Sequence, residues 1–476
     1  MRKLFYFLLL FSCQTRSGFS QELPDSTIHK EYNWIQFSNR NVLARAQNAW
    51  QRAPKQQFVV LHLGDSHLQN ENLPNKVRTL AQALLGDGGI GLIQPFSIVK
   101  SYDASFYKST HTGSWEYAKS YQLPPKLPLG VRGMTAKTLD SLASFTLQFS
   151  TLVSAANRQL TLFVDNAVPH FIPTILTDSL PATLVSTKPG RMVFSIEKPF
   201  KRLSLRLAKT SPEQSQFTLF GMSIATNQGG AIWHNAGVGA SQYKSVLYEE
   251  KYADQVRYLN PDLVIIDFGT NDFLYSNQVP STLKSDILRV IEKVRLASPE
   301  ASIILTSAQD MNYKGKHVSA SQDFSILMKS IAMETQCGFW DWYQVAGGPK
   351  SMETWLAQSF AVKDGIHLNA KGSILKASLL FSALENTMNR LVSETQLTEL
   401  LIESPPLPIP EIEVKNEVKK VENTVKKAVI SKVVTVKKSQ NLSQIAEKYH
   451  VSIRQLKKLN HLNSDKIQIG QELRIK

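Results

Sequence analysis

The sequence predicts an α/β chain built on a doubly wound parallel sheet, with an antiparallel β-sandwich inserted into it and a small βααβ module at the C-terminus. Three observations predict this. Apolar, β-branched runs at 58–63, 263–268 and 302–307 have the texture of buried parallel strands, and helix-like segments at 73–85, 241–258 and 281–297 alternate with them. Between the first run and the second lie short alternating stretches ("TLQFS", "QLTLFVD", "RMVFSIE", "RLSLRLA", "FTLFGMSI") punctuated by Pro, Gly, Asn and Ser, the pattern of a sandwich. After residue 404 comes "PPLPIP" and a Lys/Glu/Val stretch, which reads as a stiff, charged linker.

These boundaries divide the chain into an N-terminal signal over 1–20 and an α/β domain in two pieces, 45–96 and 227–395. The sandwich occupies 97–226, the linker 404–431 and the C-terminal module 432–476. With 476 residues, 42% of them hydrophobic and 9% aromatic, there is apolar surface for several cores. Lys and Arg number 54 against 39 Asp and Glu, a net charge of +15. Residues 411–476 hold 15 of the basic and 7 of the acidic residues, so the tail carries +8 of it. A basic tail suits an anionic surface or an acidic wall polymer. Zinc-finger spacing, basic-zipper heptads and RNA-recognition aromatics are all missing from the sequence, so nucleic acid is not an expected partner.

Met1-Arg2-Lys3 is followed by an apolar run over 4–11 and then by small and polar residues to Gln21. This is the pattern of a secretory signal, too short to span a bilayer. Cleavage after Ser20 would release a soluble protein, whereas Leu10-Phe11-Ser12-Cys13 resembles a bacterial lipobox and would put a lipid on Cys13. The expected location is therefore periplasmic or envelope-associated, with the anchoring left open. The second cysteine, Cys337, has the character of a small buried hydrophobe.

The chemistry gathers where strands end. "FVVLHLGDSH" runs a buried strand straight into Gly64-Asp65-Ser66-His67, and in open α/β sheets ligands bind at the carboxyl ends of strands. Ser66 is a candidate nucleophile there, and its own backbone N–H a candidate oxyanion donor. Alternatively, Asp65 or Ser66 only caps the helix that follows. "HNAGVGASQY" sets Gly237 and Gly239 before a helix, where a backbone N–H can approach a ligand. "LVIIDFGTNDF" ends a strand in Gly269-Thr270-Asn271-Asp272, with the Asn271 amide a candidate oxyanion donor or an Asx-turn. "VKDGIHLNAKG" places Asp364 three residues before His367, so that one carboxylate can hold the ring while its other nitrogen faces a serine. The plainer reading of that pair is a capped helix start.

In their order and spacing these four blocks resemble the SGNH/GDSL hydrolase superfamily, in its GDSH branch. The resemblance implies a flavodoxin-like three-layer fold, with Ser66 as nucleophile, His367 as general base and acid, and Asp364 as the residue that orients His367. The oxyanion hole it implies is the N–H groups of Ser66 and Gly239 with the side chain of Asn271. The glycine block reads Gly-Val-Gly-Ala, which leaves Gly237 as the alternative to Gly239. No G-x-S-x-G elbow surrounds Ser66, which sets the ordinary α/β-hydrolase fold aside. The stretch from His67 to Asn235 is far longer than one crossover needs. A sandwich placed there resembles the arrangement of peptidoglycan O-acetylesterases, where it is a carbohydrate-binding-like module. Trp115, Trp233 and the tyrosines of 102–121 are candidates to stack on sugar rings, or else core residues.

The last segment alternates a strand, two helices and a strand, with apolar stripes at Leu442, Ile445, Ala446 and at Ile453, Leu456, Leu459. It resembles a LysM domain, carried by Leu442-Ser443-Gln444-Ile445-Ala446, Leu459-Asn460 and Ile469-Gly470-Gln471-x-Leu473. That resemblance implies binding to glycans containing N-acetylglucosamine. Ser439-Gln440-Asn441 and His450 depart from the family pattern near its sugar-contacting loop. The expected function is an exported serine esterase that removes O-acetyl groups from cell-wall glycan, peptidoglycan above all, with no metal or organic cofactor. Acetyl transfer, an acetylesterase on another polysaccharide and a non-catalytic wall-binding protein are the alternatives.

Overall fold

Strands made of Val, Ile and Leu bury both faces only if helices cover both sides of the sheet, and the computed structural model is arranged in this way. It describes residues 26–154 and 158–392, and, beyond these, 433–436, 441–449, 456–457, 459–460, 462, 464, 467–468 and 471–474. The expected signal over 1–20, Cys13 and the linker 404–431 lie outside the described residues, as do Ser439, Gln440, His450, Ile453, Ile469 and Gly470.

Five parallel strands form the central sheet: β1 (Gln57–Gly64), β2 (Gly230–Gly237), β3 (Leu263–Asp267), β4 (Ser302–Thr306) and β5 (Gly338–Trp340). Their order is β2-β1-β3-β4-β5, all pairs parallel, which is the flavodoxin-like order with its crevice at the ends of β1 and β3. Alternate residues feed two cores. Phe58, Val60, Leu263 and Ile265 pack with helices α1 (Ala44–Arg52), α2 (Asn72–Leu85) and α6 (Ala370–Val392). Leu61, Leu63, Val264 and Ile266 pack with α3 (Tyr252–Leu259), α4 (Leu283–Ala297) and α5 (Ala320–Glu334). The single helix expected over 241–258 is two helices, Tyr243–Leu247 and α3. The ladder breaks because the Lys251 N–H donates outside it, to the Leu129 carbonyl at 2.9 Å.

Two antiparallel sheets stand between β1 and β2. One contains Thr183–Lys188, Arg191–Ile196, Arg158–Val164, Phe217–Thr226, Met134–Thr138 and Glu116–Lys119, and takes in Gly89–Ile93, which pairs with Phe217–Thr226. The other contains Tyr107–Thr112, Ser144–Val153, Phe200–Ala208, Ile172–Thr177 and Leu180–Pro181. Their inner faces share one core, including Phe145, Leu147, Leu162, Phe194, Leu205 and Leu219.

Residues 405–476 form a separate unit. Val433–Thr435 pairs antiparallel with Glu472–Arg474, and Leu442, Ile445, Ala446, Leu456 and Leu473 make a small core. Asn441 and Gln444 exchange side-chain bonds to each other's N–H at 2.9 and 3.1 Å, a capping box for the helix Leu442–Lys448. Leu459 leaves the expected apolar stripe and is 42% exposed. Cys337 is free and buried. Among the described residues, no helix is long and apolar enough to cross a membrane.

Candidate active site

Gly64 ends β1 between Gly237 and Asp267 of the flanking strands. A Cβ there would lie 2.7 Å from the Asp267 carbonyl and 2.5 Å from Leu68 Cδ1, so the turn closes only on glycine. Asp65 caps the single helical turn Ser66–Gln69 by accepting from the His67 N–H at 3.0 Å. Capping therefore falls to Asp65 and leaves the Ser66 hydroxyl free for another partner, which is His367 Nε2 at 2.8 Å.

The other His367 nitrogen, Nδ1, lies 2.7 Å from Asp364 Oδ2. With Nδ1–H donated to the carboxylate, Nε2 accepts from the Ser66 hydroxyl. Asp364 does not open the helix that follows; Asn369 does, accepting from the Gly372 N–H at 3.1 Å. Instead Asp364 Oδ1 accepts from the N–H groups of Ile366 and His367 at 2.8 and 3.0 Å. Burial pushes this carboxyl up, but those N–H donors and the imidazole outweigh it and hold the group below its usual range.

The oxyanion candidates separate by their hydrogen bonds. The Gly237 N–H is taken by Asn235 Oδ1 at 2.8 Å, and the Val238 N–H by the Gly64 carbonyl at 3.0 Å. The N–H groups of Ser66 and Gly239 have no protein acceptor among the described residues. Asn271 Nδ2 donates to the Ser241 carbonyl at 3.0 Å and keeps only a long 3.5 Å contact with Asp65 Oδ2. Two return bonds lock this loop pair. Gln242 Nε2 donates to the Asn271 carbonyl at 2.5 Å, and the Tyr243 N–H donates to Asp272 Oδ1 at 3.2 Å. The Gly-x-Asn-Asp block thus holds the glycine block in place.

Several residues around the site were not singled out by sequence reading. The His67 side chain is 8% exposed, with Nδ1 2.9 Å from Asp65 Oδ1, Nε2 3.3 Å from the Ile366 carbonyl, and its ring 5.3 Å from that of His367. Beneath the sheet edge, Asp267 accepts from Lys376 Nζ at 3.0 Å and Thr306 Oγ1 at 2.7 Å. Despite burial, Lys376 and His62 keep that carboxyl far below its usual range, while burial keeps His62 neutral. A charged residue closing the apolar run "LVIID" was the one signal in the sequence. The inserted sandwich supplies Arg132, Ser120 and Ser101, which bond to Gly237, Ser241 and Gln69. No sequence signal marks them, because the contacts join distant segments. Of the aromatics considered for sugar stacking, Trp233 is buried against His62, and Trp115 packs edge-on against Phe145 with Nε1–H on the Thr112 carbonyl. Both are structural.

Residues 210–373 match the model of the GDSL-like lipase/acylhydrolase family, and residues 434–476 match the LysM domain. A solved structure described as a peptidoglycan O-acetylesterase in action has a TM-score of 0.61 at 22% identity, over 75% of this chain and 99% of that one. Two others are a lipase/acylhydrolase from Enterococcus faecalis (TM-score 0.27, 18% identity, 33% and 77% covered) and an active-site mutant of a family two carbohydrate esterase from Clostridium thermocellum (TM-score 0.28, 11% identity, 58% and 99% covered). No curated protein sequence matches the chain. The first of these structures shares this fold. Family match and fold together support an SGNH-type esterase joined to a LysM domain.

Proposed function

We propose that the chain is an exported serine esterase that removes O-acetyl groups from peptidoglycan. The observation that carries this reading is the relay from Ser66 Oγ to His367 Nε2 at 2.8 Å and from His367 Nδ1 to Asp364 Oδ2 at 2.7 Å. Ser66 Oγ attacks the acetyl carbonyl and passes its proton to His367 Nε2, and Asp364 stabilises the imidazolium so formed. The N–H groups of Ser66 and Gly239, with the Asn271 amide turned from its long contact, receive the oxyanion. Collapse breaks the bond to the sugar oxygen, which takes the proton back from His367. A water then gives a proton to His367 and attacks the acetyl-serine, releasing acetate and restoring Ser66.

Similarity to a peptidoglycan O-acetylesterase and to the LysM domain supports a wall glycan as substrate. Residues 1–20 supply export in this reading, and the LysM module raises the effective concentration of the catalytic unit at the polymer. The test is acetate release from O-acetylated peptidoglycan and from acetylated xylan by the chain and by Ser66→Ala. Release from peptidoglycan that is lost in the variant supports the proposal. Release mainly from xylan moves the substrate to another polysaccharide, and no release from either overturns the esterase reading.

A further inference from the structure

The inserted sandwich reaches the oxyanion loops at two points next to exposed tyrosines. Gln69, the last residue of the turn that Ser66 begins, donates from Nε2 to Ser101 Oγ at 2.7 Å. Its Oε1 also lies so close to Gly239 that a Cβ on that glycine would meet it at 2.0 Å. At the end of the strand Glu116–Lys119, the Ser120 and Ser241 hydroxyls share a 2.7 Å hydrogen bond. The residue after each anchor is a tyrosine: Tyr102 is 77% exposed and Tyr121 41% exposed. Lys119 Nζ donates to the Lys100 carbonyl at 2.9 Å and stands 5.7 Å from the Tyr121 ring and 5.8 Å from that of Tyr117. Lys100 Nζ also stands 5.8 Å from the Tyr117 ring. Among the described residues, neither lysine has a carboxylate partner.

Packing accounts for Trp115 and Trp233, whereas Tyr102 is largely exposed and Tyr121 keeps part of its ring open to solvent beside Lys119. Tyrosine offers an apolar face and a polar tip at low conformational cost, which suits the C–H face of a pyranose. Cations beside such rings that have no carboxylate partner among the described residues suit a ligand that brings its own carboxylate. We propose that Tyr102 and Tyr121, with Lys100 and Lys119, form a glycan subsite beside the ester-binding position that selects a sugar unit bearing a carboxylate. Peptidoglycan carries free carboxylates on its stem peptides, and on lactyl ethers that bear no peptide, whereas xylan backbones do not. This subsite rests on the esterase reading above, and it assigns the inserted sandwich the task of choosing the acid-bearing glycan.

Kinetics of the full-length chain on soluble O-acetylated peptidoglycan fragments, acetylated xylo-oligosaccharides and p-nitrophenyl acetate test it. In Tyr102→Ala/Tyr121→Ala, the ratio of kcat/KM on the fragments to kcat/KM on the aryl ester falls about tenfold. In Lys100→Met/Lys119→Met, the fragments lose more than the xylo-oligosaccharides. An unchanged ratio in the first variant, or equal losses on the two glycans in the second, overturns the subsite while leaving the esterase reading intact. If the parent chain cleaves the aryl ester but neither glycan, the esterase reading on glycans fails by itself. The subsite is then judged by binding of the same fragments to Ser66→Ala with and without the two tyrosines. Equal binding overturns it, and because the LysM module is present in every protein its contribution cancels.

Discussion

Arg132 Nη1 donates to the Gly237 carbonyl over 2.8 Å, so a residue of the inserted sandwich fixes the strand end from which Gly239 projects. Arg132 is wholly buried, with Nη2 3.6 Å from the equally buried Glu71. Removing one member of a buried charge pair typically costs about 3–5 kcal/mol, because the other is left uncompensated. Arg132→Met is therefore expected to lower the melting temperature by many degrees. It is also expected to lower kcat on p-nitrophenyl acetate more than it raises KM, since the loop it holds carries an oxyanion donor. Calorimetry and steady-state kinetics read the two effects separately. Lost stability with an unchanged kcat would confine Arg132 to folding.

The relay through His367 predicts unequal losses at its two ends. Ser66→Ala removes the nucleophile, and kcat should fall about 10⁴-fold or more. Asp364→Asn keeps the shape but favours the wrong ring tautomer. Its side chain is 39% exposed, so water takes over part of its work and a smaller loss, about 10²–10³-fold, is expected. Equal losses at the two positions would show that Asp364 is needed for more than orientation.

Two glycines two residues apart give opposite expectations. Ala at 239 would press on Gln69 Oε1, the movable end of a side chain, whereas Ala at 237 would meet Leu68 Cβ at 2.3 Å and the Leu68 backbone at 2.9 Å. Gly239→Ala keeps its backbone N–H, so it should fold and lose less in kcat than the about 10²–10³-fold that removing an oxyanion donor outright costs, the loss coming from the shift of that N–H as Gln69 is displaced. Gly237→Ala should appear first as lost stability. Denaturant melts beside kinetics check both, and a kcat defect confined to Gly237→Ala would reverse the assignment made from their hydrogen bonds.

Local pattern accounts for what the sequence made legible. The runs at 58–63, 263–268 and 302–307 are long enough and apolar enough to read as buried strands, and β1, β3 and β4 lie there. Ser66, Asp364 and His367 stand in short motifs, and the structure brings them together. The choice between Gly237 and Gly239 was not legible, because it turns on where Asn235 sends its side chain. The break between Tyr243–Leu247 and α3 was hidden for a similar reason, since its cause is the carbonyl of Leu129, more than a hundred positions away. Trp233 looked available for sugar until β2 proved to be a central-sheet strand with that ring against His62. His67 was visible only as the residue after the serine, and its partner across the site, the Ile366 carbonyl, follows from the fold alone.

That histidine supplies a pH dependence. Burial and the more distant Lys376 oppose a charge on His67, but the Asp65 carboxylate outweighs them and raises its pKa above the ordinary value near 6.5. Nδ1–H faces Asp65, while Nε2 lies 3.3 Å from both the Ile366 carbonyl, one residue before His367, and the Gln309 amide nitrogen that donates to that carbonyl. A histidine whose pKa is higher in the folded chain than in the unfolded one favours folding when protonated. Its stabilisation is complete below about pH 6.5 and is lost as pH rises through the folded value. The difference in melting temperature between the parent chain and His67→Gln should therefore be largest at about pH 5–6 and should narrow steadily above about pH 6.5. A difference that stays constant across that range would mean that His67 is held neutral and acts through packing alone.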